Sequence, residues 1–153
     1  MNPLLAILTG GVLFNIFRKR ESIPAPINKL SSAEVRKIIV SETLSDAYIH
    51  LTDSEYNVFK HTDYVGFIAG DTTNLKTYVK NDWDCENFSF LFYAMIEQSL
   101  KGCPCGIVFL SKPEGNHACN FFIDEKGLFW LVEPQDDRVF AKPADWSIYF
   151  ALV

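Results

Sequence analysis

Cys85, His117 and Glu133 are the residues of this chain whose types and order could do chemistry. That chemistry would be attack by a thiolate, with a histidine moving the proton and a carboxylate orienting the histidine. Cys85 lies in the stretch "NDWDCENF" (81–88), at what reads as the first turn of a helix. Unpaired backbone N–H groups and the positive end of the helix dipole favour a thiolate there. The same N–H groups, that of Cys85 first, could hold a developing oxyanion. Asp82, Asp84 and Glu86 act against the thiolate by like-charge repulsion, so a cationic partner is required. Three histidines are present. His50, in "AYIHLTD", reads as a half-exposed strand histidine and His61 as a solvated loop residue, which leaves His117.

Two elements must position this set. His117 opens the first strand of an expected hairpin, "HACNFFID" and "LFWLVEP", and Glu133 closes the second. A turn centred near Glu125 sets the two opposite each other on one face, about 5 Å apart at Cβ. A carboxylate there fixes the imidazole tautomer. A turn centre displaced by half a residue would bring Pro134 opposite His117 instead. For the cysteine, Phe88, Leu91, Phe92, Met95 and Ser99 follow helical spacing, which predicts an amphipathic helix over 84–100, ended by Gly102. A second helix is predicted over 33–44, capped by Ser31 or Ser32 with Glu34 in its first turn. "YVGFIAG" reads as either a buried strand or a helix fragment. "GIVFL" (106–110) and residues 148–153 complete the strands, and the fold class is α+β.

"DCENFSF", "NHACNFF" and "FWLVEPQDD", 32 and then 16 residues apart at their chemical groups, together resemble the papain-like and transglutaminase-like cysteine hydrolases. The nearest likeness is to the papain-like C-terminal domain of fungal agglutinins and its short bacteriophage relatives. It covers roughly residues 45–150 and takes in "DSEYNVF" (53–59) and Tyr78. The resemblance implies N-terminal helices and a Cys-bearing helix packed on an antiparallel sheet. It implies a peptide-like substrate cleaved by a peptidase or amidase, with Cys85 as nucleophile, His117 as base and acid, and Glu133 as orienter. Acyl transfer to an amine would use the same residues. Papain has a glutamine shortly before its cysteine and this chain does not, so Asn81 and Gln135 stand beside the Cys85 backbone as oxyanion candidates. Cys119, on the His117 face of the strand, is also outside the family pattern. The triad requires no cofactor. The agglutinin-type relatives are calcium-activated, which makes Asp82 and Asp84 candidate calcium ligands. Two carboxylates fall far short of the six to eight oxygens calcium takes.

Length and charge bound the rest. The 153 residues fit one domain with a core. The net charge is −5, and Arg18-Lys19-Arg20 is the one basic cluster, so no nucleic-acid partner is expected. Four irregularly spaced cysteines read as reduced thiols, from folding in a reducing compartment. Cys103-Pro104-Cys105 has no second pair to complete a zinc site and reads as small residues leading into a strand. Three segments follow: an apolar head with a basic flank (1–22), a linker (23–32) and the hydrolase-like domain (33–153). As a helix, Pro3–Phe17 would extend roughly 22 Å against about 30 Å of hydrocarbon. Its readings are a membrane anchor, a segment buried in a protein assembly such as a virion, or a core helix. A second functional reading accompanies these: a catalytically silent structural or binding subunit, using the scaffold without its chemistry.

Overall fold

The computed structural model describes residues 23–153. The apolar head, and with it the anchor or assembly role of residues 3–17, lies outside the described residues. Among the described residues no helix is long and apolar enough to cross a membrane.

Strand β1 (Asn28–Ser31) falls inside the segment read as linker and pairs antiparallel with β3 (Glu55–Val58). Helix α1 (Ser32–Glu42) starts where the side chains of Ser31 and Glu34 close on each other's backbone. The Glu34 N–H donates to Ser31 Oγ at 3.3 Å, and the Ser31 N–H donates to Glu34 Oε2 at 2.8 Å. This reciprocal cap satisfies two N–H groups the helix cannot. Strand β2 (Thr43–His50) follows, and helix α2 (His61–Gly70) resolves the ambiguous "YVGFIAG" as helical. A short 3-10 turn (Thr73–Leu75) leads to helix α3 (Cys85–Ser99). The chain ends in β4 (Cys105–Lys112), β5 (Gly115–Ile123), β6 (Phe129–Glu133), β7 (Arg138–Phe140) and β8 (Ser147–Leu152).

Six strands form one sheet in the order β2-β8-β4-β5-β6-β7. All neighbours in it are antiparallel except β2 and β8, which run parallel. The described residues are therefore α+β, with three helices and a mostly antiparallel sheet. Helix α1 packs Val35 and Ile39 on one face, against Val108, Leu110, Cys119, Phe121 and Leu131. Helices α2 and α3 cover the other, where Tyr64, Ile68, Phe92, Ile96 and Phe122 meet.

Two local expectations shift. The buried stripe of α3 is Phe88, Ser89, Phe92 and Ile96, while Met95 is 38% exposed. The helix is thus rotated from the expected 88/91/92/95/99 face, because Asn120 docks against it. Asn120, buried in β5, donates from Nδ2 to the Ser89 carbonyl at 3.0 Å and to the Gly106 carbonyl at 3.1 Å. The hairpin register also moves. Asn120 pairs with Val132 and Phe122 with Trp130, which centres the turn on Lys126 and not on Glu125.

Candidate functional site

The start of α3 lies beside β5, where the Ala118 backbone amide meets the Cys85 thiol. In the observed register, one more step sets Glu133 opposite Cys119, two residues from His117. His117 and Glu133 still share a face, because side chains repeat every second residue, and the diagonal is within reach. His117 Nε2 lies 2.6 Å from Glu133 Oε2, with both side chains about nine-tenths buried. The Gln135 N–H donates to the other Glu133 oxygen at 3.3 Å. The imidazole is thus held by a carboxylate that is itself held by its own turn.

Cys85, the first residue of α3, is half-buried. Its thiol donates to Glu86 Oε2 at 3.3 Å, and among the described residues no hydrogen bond joins it to His117. Burial raises its pKa above the ordinary thiol value. A contact with the Ala118 backbone amide opposes this, and Glu86 and Asp84 add to it. The helix N-terminus favours the thiolate but does not win. Cys119 stands opposite Glu133, with its thiol pushed up by burial and by that carboxylate.

The remaining candidates stand around the start of α3 and on the turn after β6. Asn81 sits at φ 62°, and its N–H donates to Asp84 Oδ2 at 3.1 Å. The Asp84 N–H in turn donates to Asn87 Oδ1 at 3.2 Å. Asp84 therefore caps the turn that starts α3, and Asp82 is exposed. Tyr78 is 51% exposed. Partial desolvation and then the negative charges of Asp84, Cys85 and Glu86 raise its pKa. His61 is not the solvated loop residue expected. It begins α2, packs on Phe122 and Trp130, and lies 3.7 Å from the buried Asp124. His50 is the exposed last residue of β2 and stacks on Tyr48.

Cys103 and Cys105, which the sequence presents as small residues leading into a strand, gain a partner that the sequence reading does not single out. Glu97, at the end of α3, stands with Cys103 and Cys105 in a cluster of three metal-ligating side chains. The signal available was the alternation of two cysteines around Pro104, just after the Gly102 turn.

No protein-family model matches the chain, and no curated protein matches it by sequence. Solved structures do share its fold. A structure described as the PSL1a-E64 complex is 22% identical at a TM-score of 0.71, covering 82% of this chain and 51% of the other. A second is a lectin of Polyporus squamosus bound to the human-type influenza-binding epitope Neu5Aca2-6Galb1-4GlcNAc. It is 22% identical at a TM-score of 0.68, covering 82% of this chain and 49% of that one. The chain spans about half the length of these neighbours. At this identity the likeness shows the fold.

The expected membership of the papain-like and transglutaminase-like cysteine hydrolases is corrected by this finding, since the second of these neighbours bears the name of a lectin and not of a peptidase. The expected thiol hydrolase acting on a peptide-like substrate is corrected with it. At the site, burial raises the Cys85 thiol pKa above its ordinary value, and the thiol faces Glu86.

Proposed function

We propose that this domain is a binding module for a hydroxyl-rich, glycan-type ligand, on a scaffold whose thiol is chemically silent. The observation that carries this reading is the set of groups at the start of α3. The Cys85 thiol donates to Glu86, the His117–Glu133 pair stands on β5 and β6 next to Ala118, whose backbone amide meets that thiol, and Tyr78 is exposed ahead of the helix. Carboxylates accept hydrogen bonds from sugar hydroxyls, imidazole and backbone N–H groups donate, and an exposed aromatic face covers the apolar side of a sugar ring. The lectin with this fold supports the reading. This chain matches about half of that lectin, and the proposal sets a ligand of its chemistry on the matched half.

A second surface favours another kind of binding. Tyr48, Phe150 and Phe109 form a row of rings across β2, β8 and β4. Phe109, Tyr149 and Phe150 line an open groove of about 400 Å³. An exposed apolar face of this kind suits contact with a larger protein assembly.

Titration of the full chain with Neu5Aca2-6Galb1-4GlcNAc, followed by NMR, tests the first reading and separates it from the second. Saturable shifts are expected at Tyr78, Glu86 and His117, with affinity falling about tenfold in Tyr78→Ala, equivalent to about 1.4 kcal/mol. Shifts confined to Tyr48 and Tyr149, or none at millimolar ligand, contradict it.

A further inference from the structure

The chain after α3 folds back on the helix it has just left. Gly102 takes a φ of +66°, and its N–H donates to Glu97 Oε2 at 3.1 Å. Cys103 and Cys105 alternate around Pro104, so both thiols face the same way. Their sulfurs are 3.0 Å apart, and each lies 3.5 Å from Glu97 Oε1. The three ligand atoms fall within 4.8 Å of one another. Both cysteines are 1% exposed, while Glu97 is half-buried at the rim.

An independent observation points into the same place. Tyr64 has no exposed surface, and its hydroxyl proton has no acceptor, although the Phe59 backbone N–H approaches its oxygen. Tyr64 packs in the same buried cluster as Cys103 and Cys105. A buried O–H without an acceptor is unfavourable by several kcal/mol in an apolar setting, so such groups are rare. A metal-bound thiolate is a far better acceptor than a neutral thiol, and would satisfy it.

We propose that Glu97, Cys103 and Cys105 bind a thiophilic divalent ion of the zinc class, with the Tyr64 hydroxyl donating to a coordinated sulfur. As the two metal–sulfur bonds form, each thiol releases its proton to solvent, and nothing is oxidised or reduced. Bonds of about 2.3 Å to sulfur in a tetrahedral site need the sulfurs about 3.7 Å apart, so the pair opens by less than about 1 Å. Two thiolates and one carboxylate select zinc-like ions over calcium or magnesium. Three protein ligands leave a fourth position for water. This site is separate from the start of α3 and does not depend on what binds there.

Cobalt(II) is the probe, because thiolate-to-cobalt charge transfer reports sulfur ligation directly. The full chain, kept reduced, is expected to take up one cobalt per molecule with that absorption, and zinc is expected to displace it. Cys103→Ser and Cys105→Ser should each lose most of the band, and Cys119→Ser should keep it. Glu97→Gln should weaken binding at least tenfold. Absence of stoichiometric cobalt in the wild type, or a band lost in Cys119→Ser and retained in Cys103→Ser, overturns the proposal. If a cysteine variant does not fold, Glu97→Gln, at a half-exposed helix position, decides alone: unchanged affinity overturns it.

Discussion

At Cys85 two effects of the local sequence oppose each other. The α3 N-terminus favours a negative charge by about 0.3–1 kcal/mol, while burial and the carboxylates of Glu86 and Asp84 disfavour it. The raised thiol pKa shows which wins. The Glu86 contact exists only while the sulfur carries its proton, so it reinforces the neutral form. Glu86→Gln removes that charge, and the onset of Cys85 alkylation is expected to move to lower pH. Mass-spectrometric readout of each cysteine across a pH series checks this; an unmoved profile means burial alone sets the pKa. The opposition itself was legible in "DWDCE". The thiol's actual partner was not, because a carboxylate one residue away can point toward or away from the sulfur, and only the packed helix decides.

At the scale of elements, the α3–β5–β4 contact is fastened by two residues that no periodicity singles out. Asn120 ties the helix backbone to β4. Gly106 lets β4 pass the end of β8, where an added Cβ would lie 1.9 Å from the Leu152 carbonyl oxygen and 2.8 Å from the Phe121 ring. Gly106→Ala is therefore expected to destabilise the domain by about 3 kcal/mol, the upper range for overpacking against backbone. A shift in urea midpoint with unchanged m-value would show it; an unshifted midpoint would mean that β8 can move away. The helices of 33–44 and 84–100 and the β5–β6 hairpin were legible, because their apolar spacing and capping residues are local signals. The parallel β2–β8 pair was not, since it joins segments some hundred residues apart with no shared pattern. The hairpin centre was misjudged by one residue, yet His117 and Glu133 still meet. A shift of one residue in the turn centre moves the partner by two, which preserves the face.

At the scale of the whole molecule, helices on both faces of one sheet bury Cys103, Cys105 and Cys119 and half-bury Cys85. Burial raises all four thiol pKa values. An unfolded thiol loses its proton near pH 8.5. Above that pH the native state holds more protons than the unfolded chain, so stability falls as pH rises. Denaturant midpoints of the metal-free protein are expected to drop between pH 7.5 and 10, and a flat profile would contradict this. The fold class was legible from the order of helices and strands. The fold family was not settled by three short motifs, because a scaffold can carry the order of a triad without its chemistry. The central claim is that Cys85 is not a primed nucleophile, and its alkylation rate from pH 6 to 10, in wild type and in His117→Ala, tests this most directly. The account predicts slow labelling below about pH 8.5, the ordinary thiol reference, with no change in the variant. Fast, selective labelling of Cys85 at pH 6–7 that disappears in His117→Ala would contradict it and establish a working thiolate–imidazole pair.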